Sequence, residues 1–475
     1  MRLALRHVPH LVGFLAAVAA CSGPKTDKAD SPEQPRPSAG LSGAWKTDGY
    51  GLVFVSNGDT LQAYEVTQTT CVPTMKVIRR AETAPGAEAV YAKDDDVFLV
   101  KAATDSNEKR LHSDGAASDM VIRRIAGRPA TCDQPTPNTP IGNFDVFAET
   151  WKEHYILFDE KHANWDVVAA NARAKVTPAT KPAELFDILQ GMIAPFEDAH
   201  TFISSDSLKR RFHALRKGTD RLAKHGTRDF MAKDMPPVLA ITDSKLQGPI
   251  RKWCNDQVQY GHVDDSTGYL RIISEGSYTK EGGFAAGLVA LEAALDTIFT
   301  DPKLKGLVFD VRINFGGADP YGLAVASRLA TSEYVAYSKE ARIDPVDRTK
   351  WTPGQPSVVR PSTRPSFKGP VVELTGPLTI SAGETTTQAL MGRTPKVLRI
   401  GENTQGVFSD VLGRSMPNGW QFGLPNEVFR AQDGKTFDGP GIPPDIAVPV
   451  FADRDLAAKR DVGLERARAE LYRPR

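Results

Sequence analysis

Cysteine is scarce in this chain: its 475 residues include four, at positions 21, 71, 132 and 254. None stands in a CxxC pair or beside histidines at ligand spacing, so no structural zinc is expected, and neither is any other metal or organic cofactor. Charge of one sign is also lacking. The formal net charge of +1 gives no electrostatic footprint for a nucleic-acid or polyanion partner. Beyond Ala20 no apolar run approaches the roughly 20 residues that a membrane-spanning helix needs. Internal repeats are missing as well. What is left is the composition of an ordinary globular protein, long enough for two or three domains.

The N-terminus is the exception to this evenness. Arg2, Arg6 and His7 precede an apolar run from Leu11 to Ala20, which ends in Val18-Ala19-Ala20-Cys21. A basic start, a short apolar stretch and small residues before a cut site describe a secretory signal over residues 1–20. The ending resembles a bacterial lipobox, in which Cys21 would be lipidated; the alternative is an ordinary signal peptide with a chance cysteine. Residues 21–40, rich in Ser, Pro, Lys and Asp and free of aromatics, cannot bury enough apolar surface to fold and read as a tether. The expected location is the cell envelope, lipid-anchored on the periplasmic side of a membrane or at the cell surface. Outside the cytoplasm thiols oxidise, so Cys71 and Cys132 are expected to form a disulfide rather than remain two buried thiols. Cys254 is left as a small buried hydrophobe.

Residues 41–132 read as a small β domain. Two strand-like runs, Gly51 to Ser56 and Thr60 to Val66, flank Asn57-Gly58, a strong hairpin signal. A polar stretch with Pro135, Pro137 and Pro140 marks a linker. Phe144, Phe147, Trp151, Tyr155 and Phe158 then recur at helical spacing. Residues 140–262 are therefore expected to be a helical subdomain and connector, in which the basic run Lys209-Arg210-Arg211 is a solvated helix or loop. From 263 to 452, strand-like Tyr269–Ile273, Gly306–Val311, Val371–Leu374 and Lys396–Ile400 alternate with a helix over Phe284–Phe299, which implies an α/β core. Residues 453–475 read as a charged C-terminal helix.

Four short motifs cross that core. Asp310-Val-Arg-Ile-Asn-Phe-Gly-Gly317 follows an apolar strand; a double glycine there lets N–H groups face a ligand, as an oxyanion hole requires, though alone it is also a plain turn. In Leu378-Thr-Ile-Ser-Ala-Gly-Glu384 a strand gives way to a helix at Ser381. A serine in that place can attack an acyl carbon, and Ser-x-x-Glu is equally a capping box. Gly401-Glu-Asn-Thr-Gln-Gly406 and Phe437-Asp-Gly-Pro-Gly-Ile-Pro-Pro-Asp445 are turn-rich and singly uninformative.

Taken in order, these segments resemble the C-terminal-processing and tricorn-type serine peptidases, whose core carries Asp-x-Arg-x-Asn-x-Gly-Gly, Ser-Ala-x-Glu, Gly-Glu-x-Thr-x-Gly and Gly-Ile-x-Pro-Asp. Asp198-Ala-His-Thr201 matches a further segment upstream. The resemblance covers roughly residues 260 to 450. It implies a crotonase/ClpP-like core of β-β-α units, with the helical subdomain packed against it. It further implies Ser381 as nucleophile, an oxyanion hole from the N–H of Gly316 or Gly317 with that of Ala382, and Glu384 as a cap or positioning residue. One branch of the family uses a lysine after the third motif; here Gln405-Gly-Val-Phe-Ser-Asp410 has none, so a Ser-Lys dyad is not expected. His200 stands where the other branch has its base, and Asp438 where that branch has the carboxylate that orients it. The serine that precedes the histidine in tricorn-type sites is Ala199 here, so Asp438 must reach His200 directly or through another group. The segment between Thr201 and the core is too short for a PDZ domain.

The resulting expectation is a serine endopeptidase of the bacterial envelope, working through an acyl-enzyme on peptide or unfolded protein. The rivals are an inactive relative that binds an apolar ligand, as retinoid carriers with this fold do, and an envelope interaction module. Oligomeric state is not legible.

Overall fold

The computed structural model describes residues 41–80, 84–93, 96–217, 219–222 and 229–473. The signal, Cys21 and the tether lie outside them. Among the described residues no helix is long and apolar enough to cross a membrane, and no cluster of His, Cys, Asp or Glu has the makings of a metal site.

The strands between Ser42 and Ile125 do more than form a β layer. They close into an eight-stranded antiparallel barrel, the last strand pairing with the first through Ala44↔Ile125 and Thr47↔Ile122. Eight strands leave an interior that side chains can fill. Trp45, Phe54, Leu61, Val77, Tyr91, Val100, Leu111 and Ile122 fill it. Cys71 opens the long fourth strand, Cys71–Arg80, and is disulfide-bonded to Cys132, beyond the barrel's last strand. The bond closes a loop with a sequence separation of 61. Replacing both cysteines with alanine is expected to cost about 2–5 kcal/mol, read as a lowered midpoint in chemical denaturation. An unchanged midpoint would mean the bond contributes nothing.

The helix Pro140–His154 starts at Thr139, whose hydroxyl caps the N–H of Gly142, with proline in the first turn. Its aromatic face packs with Trp165 and Phe196: Trp151 stacks on both, at 5.3 and 5.6 Å between centroids. Two shorter helices, Trp165–Arg173 and Pro182–Ile193, complete the bundle. The segment beyond departs from a helix or loop. Arg210–His213 is a strand, paired with Phe202–Ser205, and the helix Met235–Asp243 follows it. Phe202–Ser205 in turn pairs with Gln421–Gly423 of the core. The helical region is thus stitched into the core by a shared sheet.

The core is the expected α/β layer. Seven strands lie in chain order across one sheet: Gln247–Trp253, Val258–His262, Thr267–Ile272, Gly306–Asp310, Val371–Thr375, Leu398–Gly401 and Ile446–Ala447. The first three are antiparallel and the rest run parallel, which requires crossover connections. Gly283–Phe299, Asp319–Leu329 and Ala382–Met391 supply the first three, and the last runs through strands. The C-terminal helix, Val462–Leu471, is held by a buried network in which Arg312 bridges Asp310 and Asp461. The Asp and Arg of the first core motif are therefore braces.

Candidate active site

A two-residue parallel ladder puts the first two motifs side by side. Ile313 pairs with Leu378 and Asn314 with Thr379, just before Gly316-Gly317 on one strand and Ser381 on the other. Asn314 holds the glycine loop: its amide donates to Glu275 (2.9 Å) and its oxygen accepts the Gly316 N–H (2.9 Å). That bond commits Gly316. The N–H groups of Gly317 and of Ala382, the first residue of the helix, have no partner among the described residues. Both glycines have positive φ, +73° and +146°. A Cβ on Gly316 would meet that of Ser381 at 2.6 Å, and one on Gly317 would meet the Glu275 carbonyl at 2.0 Å.

Ser381 sits at φ 56°, ψ −121°, outside the regions open to L-residues at low cost. Such strain costs about 1–3 kcal/mol and survives only where surroundings impose it. A strained turn between strand and helix is the geometry that presents a nucleophile at a helix N-terminus. Glu384 imposes part of it. Its carboxylate accepts the N–H of Ser381 (3.3 Å), and those of Gly406 (2.7 Å) and Val407 (2.8 Å) from the third motif. Burial pushes its pKa up to about 7. The third motif is tied to the fourth by the Gly439 N–H donating to Gly406 (2.8 Å).

His200 arrives from the other side. Tyr155, in the aromatic cluster, donates to Asp198 (3.0 Å), and the other oxygen of Asp198 accepts the backbone N–H of His200 (2.9 Å). The imidazole is 6% exposed, with Nδ1 enclosed and unpartnered. Burial and the neighbouring His213 lower its pKa to about 4, against the attraction of Asp410 and the Ser409 carbonyl. Among the described residues no hydrogen bond joins His200 to Ser381 or to Asp438. Asp438 is buried, with its oxygens occupied by the Phe408 N–H (3.1 Å) and the Thr436 hydroxyl (2.7 Å). Burial raises its pKa to about 7. It therefore holds the segment that leads to Ser409, and Ser409 faces His200. Cys254 is a free, buried thiol, pushed by burial to about 11, and takes no part.

Sequence motifs did not point to a second polar group nearby. Lys339, on the strand Tyr334–Ala341, pairs with Asp410 and Glu427. Asp319 accepts from Thr385, one turn beyond the nucleophile (2.7 Å). Lys339 and Glu427 lie in ordinary strand sequence and leave no local signal. Asp410 stands at the end of the run after Gly406 and was visible only as a place without lysine.

Residues 266–448 match the family model for Peptidase family S41. No curated protein matches the chain. Among solved structures, the chain is similar to a candidate peptidase from Parabacteroides merdae ATCC 43184. That likeness has 25% identity and a TM-score of 0.58, over 71% of this chain and 98% of the other. A CPAF variant matches at 11% identity and a TM-score of 0.51, over 68% of this chain and 94% of its own, a likeness of fold alone. The family's motifs gather around one strained serine, the match to Peptidase family S41 spans residues 266–448, and the protein is a serine-type peptidase, a hydrolase.

Proposed function

We propose that the protein is an envelope-tethered peptidase that works through an acyl-enzyme on Ser381. The observation that carries this reading is the strained serine at a helix N-terminus, beside two backbone N–H groups with no partner among the described residues. A peptide carbonyl placed there directs its oxygen at the N–H groups of Gly317 and Ala382. Ser381 Oγ attacks the carbonyl carbon while His200 accepts the hydroxyl proton. The tetrahedral oxyanion rests on the two donors. Collapse breaks the C–N bond, and the amine leaves with the proton from His200. Water, deprotonated by His200, then releases the acid and restores the hydroxyl. Asp438 acts at one remove, through the loop that sets Ser409 against the imidazole. The substrate is an extended peptide or unfolded segment, because the nucleophile is half-buried and folded chains do not enter such a site. Lipid on Cys21 and the tether 21–40 would keep the enzyme at a membrane surface.

A fluorophosphonate probe tests the chemistry. The purified parent should be labelled, Ser381→Ala should not, and His200→Ala should react about 10²–10⁴-fold more slowly. A folded parent that resists the probe would overturn the reading in favour of an inactive binding protein.

A further inference from the structure

The barrel does not stand apart from the site. Its loop between the first two strands carries Tyr50, whose hydroxyl donates to Glu427 at 2.5 Å. Arg414 of the core grips the Tyr50 carbonyl, and Gly51 lies so close to the His154 ring that a Cβ would meet it at 2.5 Å. Glu427 is 1% exposed. Besides Tyr50 it takes the N–H of Asp410 at 3.1 Å and faces Lys339 at 3.3 Å. Lys339, itself 4% exposed, reaches on to the carboxylate of Asp410. Asp410 is the carboxylate whose charge acts on His200. A chain of contacts therefore runs from the barrel to Asp410, whose chain neighbour Ser409 turns its carbonyl to the imidazole.

We propose that Tyr50 is a positioning residue for catalysis: through Glu427 and Lys339 it holds Asp410 beside His200, so the barrel is part of the catalytic unit. The inference rests on the reading of Ser381 and His200 as the reacting pair. The physical case is one of satisfaction. Lys339 is a buried charge and Glu427 a buried carboxyl that burial pushes up to about 7, and such groups need their full set of partners. Asp410 is the flexible end of the chain, with a side chain 54% exposed. Among the described residues its side chain is held by Lys339, and its backbone by the N–H bond to Glu427 and by the Ser409 hydroxyl on its carbonyl. Removing the Tyr50 hydroxyl leaves Glu427 short of a donor, and it draws Lys339 away from Asp410. The carboxylate is then free to swing to solvent, and His200 loses its one nearby opposite charge. The other groups around the imidazole stay in place: His213 on the adjoining strand, with Arg211 beside it, and the Ser409 carbonyl.

The test compares the full chain with Tyr50→Phe and Glu427→Gln. Tyr50→Phe keeps the ring and its packing, and its melting temperature should stay close to that of the parent. Its fluorophosphonate labelling rate should fall about ten- to a hundredfold. With a peptide substrate the loss should sit in kcat and leave KM nearly unchanged. Tyr50→Phe combined with Glu427→Gln should be no slower than Glu427→Gln alone, since both interrupt one chain of contacts. A labelled parent with Tyr50→Phe reacting at the parent rate would overturn the inference and leave the catalytic reading standing. So would a loss confined to KM, or additive losses in the double variant. An unlabelled, folded parent would overturn both together. Should Tyr50→Phe fail to fold, Glu427→Gln carries the same rate comparison, and an unchanged rate there is equally fatal.

Discussion

Gly317→Ala is expected to lower kcat/KM by about 10²–10³ while the protein stays folded. The N–H of Gly317 is one of two donors available to the oxyanion, and loss of one such donor costs about 2.7–4 kcal/mol of transition-state stabilisation. Alanine keeps the N–H but cannot keep its position. At φ +146° the residue is in territory that only glycine occupies freely, and the new methyl would meet the Glu275 carbonyl at 2.0 Å. That carbonyl is not free to retreat, because it accepts the N–H of Ala318 at 2.8 Å. The loop must shift by a large part of an ångström, and the donor shifts with it. The loss should appear in kcat, since the donor acts on charge that exists only in the transition state. Wild-type kcat in the folded variant would sink the assignment of Gly317 to the oxyanion hole.

The acid limb of the pH–rate profile should fall with a midpoint near 4, well below that of an exposed histidine. The base must be neutral to accept the serine proton. An imidazole of ordinary pKa is about nine-tenths protonated at pH 5.5. Burial of His200, helped by His213, disfavours its charged form and lowers the pKa to about 4. The sign follows directly: a depressed pKa keeps the base neutral as pH falls, so activity persists through pH 6 and 5 and is lost on approaching 4. The same shift has a stability counterpart. The unfolded chain protonates this histidine below about pH 6.5 and the folded chain does not, so the neutral buried form costs stability as pH drops from 6.5 towards 4. Labelling rates from pH 4 to 8, with circular dichroism at each pH, separate the two effects. His213→Ala should raise the midpoint by removing a repulsive neighbour. A limb between 6 and 7 in the parent would mean that the base is solvated, or that it is not His200.

Much of the site was legible in the residues because its parts are local. A double glycine after a strand, Ser381 before a helical run with Glu384 one turn on, and His200 in Asp-Ala-His-Thr each announce a backbone geometry or a proton-transfer group at one place in the chain. The helix Gly283–Phe299 and the strands of the core could be placed for the same reason: their apolar periodicity is written within each element. Choices between neighbours were not legible. Gly316 and Gly317 are alike as letters, and only the Asn314 side chain, 2.9 Å from the Gly316 N–H, leaves Gly317 as the free donor. Asp438 stood beside the last motif as a candidate partner of His200, yet its oxygens are committed to Phe408 and Thr436. Arg210–His213 looked like a solvated segment because its strand is short and its partner, Phe202–Ser205, is visible only after folding.

The sequence by itself determined the order of the core elements and the positions where backbone and side-chain types must be special, and it named the candidate residues, since each of these is a property of a few consecutive residues. Tertiary structure alone decided that the strands of residues 42–125 close on themselves, and that Tyr50 meets Glu427 across 377 positions of chain. It also decided that Lys339 meets Asp410 and Glu427. Closure and buried charge networks depend on pairings between distant segments, and no local periodicity or spacing encodes which distant partner a strand edge or a carboxylate will find.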